Sequence, residues 1–405
     1  MGTRRVAVTG IGVVSALGST RLEFWRAVCD GRSGIRPIES VDRALLRFQN
    51  GAEVAGYQPE RHFEQKSLDL LDRFAQYAVV AAREALADSP LERSAALRGR
   101  TAIITGSCVG GQATEDTGFV DLYQEKRGRV SPLTIPRIMA NAGASQISVE
   151  TGITGPVYTV STACSSANHA IGQAFWMVRN GVVDAALCGG SEAIFSFGFL
   201  KAWEAMRVVA PDTCRPFSKD RRGLILGEGA AMLVLEPMDA ARARGARIWG
   251  EIAGFGMSSD AHHITQPSVN GPVAAMRAAL DDAGLEPARI GYINAHGTGT
   301  PANDPTEICA IRMLFGGQAG RLAVSSTKSM HGHALGAAGA LEAAATLLAL
   351  RHGILPPTAN FTEADPQCDL DVVPNTARRA VVEYALSNSF AFGGLNAVLA
   401  FRAPE

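Results

Sequence analysis

The sequence predicts an α/β protein built from a duplicated unit, and two observations lead to this prediction. Strand-like apolar runs, each broken by Gly, Ser or Asn and followed by a helix-like run, recur along the chain as "RRVAVTGIG", "TAIITGS", "DAALCGGSEA", "GYINAHG" and "YALSNSF". Such alternation is typical of α/β folds. In addition, "VSTACSSANHAIGQA" (160–174) aligns with "VSSTKSMHGHALGAA" (324–338), with Val, Ser, Ser, His, Ala, a branched aliphatic residue, Gly and Ala in register. One segment therefore occurs twice, which predicts two related halves.

The repeat extends to other parts of the two halves. Residues 81–91 followed by "TAIITGS" resemble residues 274–290 followed by "GYINAHG", and residues 6–16 resemble residues 251–261. A soft boundary lies near "ARARGARIWGE", so we expect halves spanning residues 1–248 and 249–405. In this alignment Cys164 takes the position of Lys328. A pseudo-twofold axis between the halves would bring these two strand-to-helix junctions towards each other.

The composition excludes several classes of protein. The 405 residues are 47% hydrophobic and 19% charged, with a formal net charge of -1, which suits a large core and gives no overall attraction to nucleic acid or an anionic membrane. The best candidate for a membrane span, "GALEAAATLLALRHG", contains Glu342, and the N-terminal residues lack the apolar core of a signal peptide. We therefore expect a cytoplasmic location, no membrane insertion and no nucleic-acid partner.

The cysteines indicate one candidate nucleophile. Seven cysteines are scattered between Cys29 and Cys368 without a CxxC pair, so neither a disulfide framework nor a zinc cluster is expected. Cys164 stands out because Ser, Thr and Ala surround it. It lies at the predicted start of a helix that stops at Gly181, where unpaired N–H groups and the helix dipole favour a thiolate. A nucleophile with room for a substrate carbonyl is one interpretation, and a buried structural cysteine is the other.

Two histidines lie in segments that suit catalysis. His296 follows a predicted strand in the Gly/Thr loop "NAHGTGTPANDPTE", and His333 follows Lys328 on the predicted second-copy helix. Each histidine alone also fits a structural role. On the duplicated scaffold, the combination favours a nucleophile assisted by two histidines. His169, the repeat counterpart of His333, lies past Cys164 on the same helix and is expected to have a packing role.

Four segments together resemble the signature segments of one enzyme family. They are "TACSSA", "HGTGT", "KSMHGH" followed by "LGAAGA", and "NSFAFGGLN". In this order and spacing, the chain is similar to the β-ketoacyl-[acyl-carrier-protein] synthases, the elongating condensing enzymes of the thiolase superfamily, from "VAVTGIG" to "NAVLAFR". Further segments look closest to the nodulation protein E branch, a relative of synthase II. The resemblance implies a thiolase-like fold of α/β/α/β/α layers with an internal pseudo-twofold.

The resemblance also implies the reaction and its nucleophile. An acyl chain passes from acyl carrier protein to Cys164, a malonyl thioester is then decarboxylated, and its carbanion attacks the acyl group. The backbone N–H groups of Cys164 and Phe392 would form the oxyanion hole, with Phe392 also acting as a gate. His296 and His333 would donate hydrogen bonds to the malonyl thioester oxygen. No cofactor is implied, because the phosphopantetheine arrives on the carrier protein.

Other residues match family positions with supporting roles. Lys328 would hold the His333 region electrostatically, with Glu307 as its carboxylate partner. No metal is required, although some relatives hold a monovalent cation. The remaining matches are as follows: pantetheine contacts at Thr298, Thr300 and Thr265; pocket residues Val109, Trp203 and Phe390; carrier-protein docking at Lys66 and Arg207; cation ligands near Asn294, Glu342, Ser387 and Asn388.

The chain departs from the synthase II pattern at several positions. His331 stands where a small polar residue is usual and adds a titratable group close to His333, and Leu395 replaces the Thr of "FGGTN". Cys108 and Val109 replace a Gly and a larger aliphatic residue, and Trp203 occurs where Phe is often found. A smaller Val109 beside a flat Trp203 suits a medium-to-long, unsaturated acyl chain, although the sequence leaves the chain itself open.

Related and unrelated activities fit less well. A degradative thiolase needs a second catalytic cysteine, and neither Cys309 nor Cys368 lies in a Gly-rich turn. An initiating synthase pairs Cys with His and Asn, and a chain-length factor lacks the nucleophile. The segment "GIGVVS" lacks the third glycine and acidic ribose ligand of a dinucleotide loop. Two alternatives stay open: a ketosynthase subunit active only as a heterodimer with a chain-length-factor paralogue, rather than as a homodimer, and a non-enzymatic subunit that binds acyl carrier protein.

Overall fold

The computed structural model describes residues 3–89, 91 and 95–405 as a mixed α/β structure. Its strands are β1 (Val6–Ser15), β2 (Arg36–Pro37), β3 (Asn50–Gly51), β4 (Thr101–Gly106), β5 (Val157–Val160), β6 (Ala185–Glu192), β7 (Gly229–Pro237), β8 (Gly250–Ser259), β9 (Ile290–Asn294), β10 (Ala323–Ser325), β11 (Ile354–Leu355), β12 (Arg378–Arg379), β13 (Tyr384–Ala391) and β14 (Leu395–Arg402).

The helices alternate with these strands. They are α1 (Arg21–Cys29), α2 (Gln65–Leu68), α3 (Arg73–Asp88), α4 (Ala95–Gly99), α5 (Gln112–Phe119), α6 (Thr134–Ile138), α7 (Ala142–Thr151), α8 (Ser166–Arg179), α9 (Phe197–Met206), α10 (Met238–Ala243), α11 (Asn270–Ala283), α12 (Asn303–Phe315), α13 (Lys328–His331) and α14 (Ala338–His352). Side-chain caps begin two of them: Thr20 accepts a hydrogen bond from Glu23 N–H in α1, and Asp72 accepts one from Phe74 N–H in α3.

The main sheet shows the predicted duplication directly. Among the described residues its strands have the order β10-β9-β13-β14-β8-β1-β7-β6-β4-β5. Counted inwards from the two ends, β5 corresponds to β10, β4 to β9, β6 to β13, β7 to β14 and β1 to β8. The two halves join where residues 6–8 of β1 pair antiparallel with residues 250–252 of β8. This palindromic order confirms the α/β fold with an internal pseudo-twofold.

Two helices form a middle layer between the two halves of the sheet. Helix α8 packs on β4 and β6 and also on β8 and β14, while α14 packs on β6, β7, β13 and β14. Outside them, α3 covers β1 and β7, and α11 covers β8 and β14. Residues 338–350 of α14 are all buried, which suits an Ala/Leu-rich helix whose only charged residue in this stretch is Glu342. The layers therefore follow the predicted α/β/α/β/α arrangement.

A glycine allows the start of α8 to press against the sheet. Gly106 ends β4, and a Cβ at this position would lie 2.5 Å from the backbone nitrogen of Ala167. No side chain fits in that space, so Gly106 sets how closely the segment around Cys164 approaches the sheet. Within the described ranges, no helix has the length and apolar character needed to cross a membrane.

Candidate active site

Cys164 lies in the tight connection between β5 and α8. Ala163, just before it, has a φ of +52°, a left-handed conformation that costs a non-glycine residue about 1–2 kcal/mol. The turn is held by hydrogen bonds from Ser166 N–H to the Ala163 carbonyl (3.1 Å) and from Thr162 N–H to Ser166 Oγ (2.8 Å). Ser165 occupies the N-cap of α8, so Cys164 lies directly before the helix, at the strand-to-helix junction predicted for it.

The surroundings of the Cys164 thiol keep it protonated at neutral pH. Burial raises the pKa of Cys164 to about 11, although the charge of Lys328 and the backbone N–H groups of Phe392 and Cys164 lower it. The expected effect of the N–H groups is therefore present, but desolvation outweighs it together with the neighbouring positive charge. The two N–H groups at the sulfur are the pair expected to form an oxyanion hole.

His296 follows β9 in a loop that a carboxylate holds in place. Glu307, on α12, accepts hydrogen bonds from the backbone N–H groups of His296 (2.9 Å) and Gly297 (2.8 Å). Gly297 and Gly299 have φ values of +36° and +76°, where glycine carries little strain. Asn388 Nδ2 donates to the same carboxylate at 3.1 Å, so β13 also fixes the loop. The His296 side chain is buried.

His333 lies between α13 and α14, which corrects the prediction of a helical position. Gly332 has a φ of +67° and a ψ of -174° and ends α13, so the chain turns away before His333. The N–H of His333 donates to the carbonyl of Ile225 at 2.7 Å, and its carbonyl accepts from Gly227 N–H at 2.9 Å. The main chain of His333 is thus paired on both sides with the segment that precedes β7.

Hydrogen bonds fix the tautomer of both imidazoles. Lys328 Nζ lies 3.4 Å from His296 Nδ1, and Leu335 N–H donates to His333 Nδ1 at 3.2 Å. An accepting Nδ1 leaves the ring proton on Nε2. Burial and the Lys328 charge lower the pKa of both histidines well below the usual range. Two neutral rings therefore present Nε2–H groups.

Lys328 is completely buried, and its carboxylate partner is Glu342. The prediction that Glu307 is this partner is therefore wrong. The ammonium group forms an ion pair with Glu342 of α14 and donates to the His296 carbonyl oxygen at 2.7 Å. Glu307 instead accepts hydrogen bonds from the His296 loop on both of its oxygens. Burial raises the pKa of Glu342 to about 7, and the Lys328 charge opposes this rise. The lysine therefore links α14 to the catalytic loop.

One pocket brings most of the predicted residues together. Of the predicted pantetheine contacts that line it, Thr265 is exposed, Thr300 is partly buried and Thr298 is buried. The Oγ1 atoms of Thr298 and Thr300 lie 2.9 Å apart, and the loop of residues 263–267 forms another wall. The predicted residues that line the pocket are Cys164, Trp203, Thr265, His296, Thr298, Thr300, Glu307, His333, Phe390 and Phe392.

An apolar cluster lies next to the Cys164 sulfur. It contains Trp203 together with Leu335, and Val109 and Phe392 pack against it, each partly buried. The rings of Trp203 and Phe392 are stacked, with centroids 6.2 Å apart and an interplanar angle of 23°. Val109 belongs to this cluster but does not line the open pocket. An acyl chain on Cys164 would find its apolar surroundings here.

Glu192 supports the site and was missed in the sequence analysis. This buried carboxylate at the end of β6 accepts hydrogen bonds from Ser107 Oγ (2.9 Å) and the N–H groups of Cys108 (2.7 Å), Val109 (3.3 Å) and Gly336 (2.9 Å). It therefore joins the loop of Val109 to the segment after His333. A single acidic residue at the end of a small-residue strand, as in "CGGSEA", is the only signal that the sequence offers.

The predicted docking residues are both exposed. Lys66 lies on the short helix α2, and Arg207 is the C-cap of α9 with a φ of +57°. Trp203 of the pocket lies on the same helix as Arg207. Arg207 thus follows an element that lines the pocket, whereas the structure gives no such link for Lys66.

Three of the four predicted cation ligands, Glu342, Ser387 and Asn388, have buried side-chain oxygens without partners, and so do Asn168 and Ser389, which were not predicted. A Cβ on Gly339 would lie 2.4 Å from Asn168 Oδ1 and 3.0 Å from Ser389 Oγ, so these oxygens face the same small space. Oxygen donors of this kind suit hard cations. In the part of the chain that the structure describes, no cluster of three His, Cys, Asp or Glu residues could hold a metal. The partnerless oxygens are Asn168 Oδ1, Glu342 Oε2, Ser387 Oγ, Asn388 Oδ1 and Ser389 Oγ.

The other two histidines that the sequence analysis considered, His169 and His331, are both buried. His169 is buried in α8, its Nδ1 lies 3.0 Å from Thr162 Oγ1, and its ring meets Phe255 edge to face. This arrangement fits the packing role expected for it. His331 is buried at the end of α13.

Comparisons with known proteins agree with this geometry. The families "Beta-ketoacyl synthase, N-terminal domain" and "Beta-ketoacyl synthase, C-terminal domain" match residues 3–241 and 249–362. "Nodulation protein E" of Rhizobium sp. (strain N33) is 50% identical over 401 residues, covering 98% of this chain and 99% of the relative. "3-oxoacyl-[acyl-carrier-protein] synthase 2" of Synechocystis sp. is 41% identical over 408 residues, covering 98% of each.

Solved structures show the same fold over the whole chain. "The ishigamide ketosynthase/chain length factor" is 40% identical, with a TM-score of 0.96 and full coverage of both chains. A type II polyketide ketosynthase in complex with its acyl carrier protein is 30% identical, with a TM-score of 0.90 and full coverage of both chains. The chain therefore belongs to the β-ketoacyl synthase family and is an acyltransferase-type condensing enzyme of fatty-acid or polyketide synthesis.

Proposed function

We propose that Cys164 carries the acyl chain and that His296 and His333 serve the decarboxylation of a malonyl thioester. The observation that carries this proposal is a single pocket lined by the Cys164 side chain and by two neutral imidazoles whose Nε2–H groups are left free by their Nδ1 contacts. Backbone N–H groups of Phe392 and Cys164 face the sulfur. The set supplies a nucleophile, an oxyanion hole and two further hydrogen-bond donors.

In the first half-reaction, Cys164 becomes acylated. The sulfur attacks the carbonyl of an acyl thioester, the oxyanion accepts hydrogen bonds from Cys164 N–H and Phe392 N–H, and the tetrahedral intermediate collapses. The pantetheine sulfur leaves and takes up the proton that the cysteine loses. The Lys328 charge helps the thiol to ionise as the carbonyl approaches, because it opposes the effect of burial.

In the second half-reaction, the carbon–carbon bond to the malonyl carboxylate breaks and carbon dioxide leaves. The bonding electron pair passes to the α-carbon, and the thioester oxygen gains enolate charge. The Nε2–H groups of His296 and His333 stabilise that charge as hydrogen-bond donors. The carbanion then attacks the acyl carbonyl on Cys164, and collapse of this intermediate releases a β-ketoacyl thioester and the Cys164 thiolate, which takes up a proton from water.

The pocket chemistry supports a carrier-protein substrate. Thr298, Thr300 and Thr265 supply hydroxyl groups along the open wall, where they would bind the phosphopantetheine arm that the carrier protein brings; no other cofactor takes part in these steps. Lys66 and Arg207 are the proposed docking residues for the acidic carrier protein. A structural neighbour was solved as a ketosynthase with its acyl carrier protein, and we place the reaction in the cytoplasm.

The edge strand β5 supports a dimer. It lies at one end of the main sheet, pairs with β4 on one side only, and exposes Tyr158. An unpaired strand edge can continue a sheet into a second subunit. We propose that the partner is a second copy of the chain or a paralogous chain-length factor; the ishigamide neighbour is described as a ketosynthase/chain length factor. Native mass spectrometry of the chain mixed with a paralogue distinguishes the homodimer from the heterodimer.

A monovalent cation would fit beside the active site. Glu342 Oε2 and Ser387 Oγ, both without partners, would help to hold it, with Asn294 nearby through its hydrogen bond to the Glu342 carbonyl and Asn388 next to Ser387 on β13. Such an ion would steady the segments around Lys328. Asn388 also binds Glu307, so the ion would act on the His296 loop through these residues.

The acyl chain is proposed to be medium to long and to include unsaturated chains. The apolar cluster beside Cys164 carries the flat Trp203 ring, and Val109 leaves more volume than a larger aliphatic residue would. Pocket volume discriminates weakly, because one methylene group changes the free energy of binding by about 1–3 kcal/mol.

The proposal is tested by intact-mass analysis of the enzyme after incubation with acyl-carrier-protein thioesters. The wild-type chain and the Cys188→Ala control should gain the acyl mass, and Cys164→Ala should not. Added malonyl-carrier protein should then remove the acyl group as a β-ketoacyl product. If Cys164 is not labelled by acyl thioesters or by cerulenin, the chain is a non-catalytic carrier-protein-binding subunit. Label on Cys108 or Cys188 would also contradict the assignment.

A further inference from the structure

His331 has a defined place in the structure that the proposed reaction does not use. It is the last residue of α13, is completely buried, and directly precedes Gly332 and the proposed catalytic His333. Its ring lies 6.3 Å from the Phe24 ring at an interplanar angle of 40°. A histidine kept wholly from water needs partners for both ring nitrogens, because an unpaired buried polar atom is costly.

Both ring nitrogens of His331 have such partners. Nδ1 lies 2.8 Å from the Gly332 carbonyl oxygen, and Nε2 lies 3.0 Å from Thr327 Oγ1. A carbonyl oxygen only accepts hydrogen bonds, so Nδ1 must carry the proton and Nε2 must accept from the Thr327 hydroxyl. Burial, together with the Lys328 charge, lowers the pKa of His331 to about 3. The ring is therefore neutral at physiological pH, and its one N–H group donates from Nδ1 to the Gly332 carbonyl oxygen.

These bonds hold the peptide that joins Gly332 to His333. On one side its carbonyl oxygen accepts from His331 Nδ1–H, and on the other its N–H donates to the Ile225 carbonyl at 2.7 Å. Gly332 itself is confined, because a Cβ there would lie 2.8 Å from the Ala52 Cβ. A peptide held at both polar atoms cannot rotate without losing a buried hydrogen bond.

We propose that His331 is a positioning residue for decarboxylation, whose Nδ1–H fixes the Gly332–His333 peptide and thereby aims His333 Nε2–H at the malonyl thioester oxygen. This inference rests on the proposed function of His333. The His333 ring is attached one residue beyond the held carbonyl, and its own Nδ1 accepts from Leu335 N–H. Rotation of the peptide would therefore move the ring relative to this donor and to the pocket.

Positioning and simple packing make different demands on residue 331. Packing against Phe24 requires only volume, whereas positioning requires a donor near the Gly332 carbonyl. Asn and Leu have the same branched shape, and the Asn amide nitrogen can lie where His Nδ1 lies, while Leu has no donor. The pair His331→Asn and His331→Leu therefore separates the two roles, with equal losses of packing expected for both.

The test measures the two half-reactions of full-length wild-type, His331→Asn and His331→Leu enzymes. Decarboxylation of malonyl-carrier protein should show a kcat about 10- to 100-fold lower for His331→Leu than for His331→Asn, with little change in KM. Acylation of Cys164 should be equal in both variants. Equal decarboxylation by the two variants would overturn the inference. If neither variant folds, a second experiment on the wild-type enzyme tests the inference by measuring which ring nitrogen of His331 carries the proton.

That experiment uses protein labelled with nitrogen-15 in its histidines. The His331 ring should show the signature of a neutral imidazole protonated at Nδ1, in contrast to His296 and His333, which should be protonated at Nε2. An Nε2-protonated His331 would overturn the inference without any variant. If the wild-type enzyme fails to decarboxylate malonyl-carrier protein, the proposed function fails, and this spectrum still decides whether His331 makes the hydrogen bond assigned to it.

Discussion

The imidazole rings of His296 and His333 meet edge to face, with centroids 5.4 Å apart and planes at 83°. Lys328 approaches Nδ1 of the first ring, and the Leu335 N–H approaches Nδ1 of the second. Both rings are thereby left to act at Nε2, where each can donate one hydrogen bond. This geometry suits stabilisation of one negatively charged oxygen better than removal of a proton from the cysteine.

The first prediction concerns these two donors. His296→Ala and His333→Ala should each slow decarboxylation by about 10²–10³-fold, the usual cost of removing one oxyanion donor, while Cys164 is still acylated. Cys164→Gln should still decarboxylate malonyl-carrier protein. Carbon dioxide release and intact mass measure the two steps, with His262→Ala, an exposed residue, as the control. Failure of both histidine variants to acylate would show that they activate the nucleophile instead.

The second prediction concerns the ionisation of Cys164. Because its pKa is raised to about 11, the thiolate fraction should increase as the pH rises towards that value. Alkylation of Cys164 by iodoacetamide should therefore accelerate about tenfold per pH unit between about pH 7 and 9. Peptide mapping measures the rate, and the Cys164→Ala enzyme gives the background from the other cysteines. A rate that is already constant at neutral pH would show a thiolate instead.

The third prediction concerns the buried ion pair. Glu342→Gln should lower the free energy of unfolding by about 3–5 kcal/mol, because it leaves the Lys328 ammonium buried without a counter-charge. Urea denaturation measures the change. Glu405→Gln, the same substitution at a surface pair with Arg242, is the matched control and should have little effect. A loss for Glu342→Gln as small as that for Glu405→Gln would contradict the assigned pairing.

The fourth prediction concerns docking. Arg207→Glu should raise the KM for carrier-protein substrates and leave small thioester mimics almost unaffected, because a rim charge acts on the protein partner. Arg26→Glu, at an exposed position of α1, is the control for charge reversal alone. Equal losses with both kinds of substrate would point to damaged folding.

The fifth prediction concerns the acyl chain. Val109→Phe should fill the apolar cluster beside Cys164 and reduce elongation of chains longer than a few carbons, while acetyl-sized primers still react. Val109→Ala, which enlarges the same space, should keep the long chains. The ratio of long to short products from each variant measures the effect. An unchanged ratio in Val109→Phe would show that residue 109 does not border the chain.

The sequence predicted the scaffold better than the electrostatics. The repeated segments led to the palindromic sheet, because duplicated units leave aligned residues such as Cys164 and Lys328. The partner of Lys328 could not be predicted from spacing, since Glu307 and Glu342 are both acidic residues near it and only the packing of α14 selects the second. Likewise, the break at Gly332 that moves His333 off a helix depends on a backbone conformation that no residue pattern specifies.

The middle layer affects how the protein is made as well as how it works. Helix α8 is synthesised long before α14, yet each packs on strands from both halves of the sheet. A nascent chain that has released only residues 1–248 therefore exposes the faces of α8 and β7 that later meet α14, β8 and β14. Such uncovered apolar surface is prone to aggregation. We therefore expect the first half to complete its folding only after α14 and the strands of the second half have been synthesised.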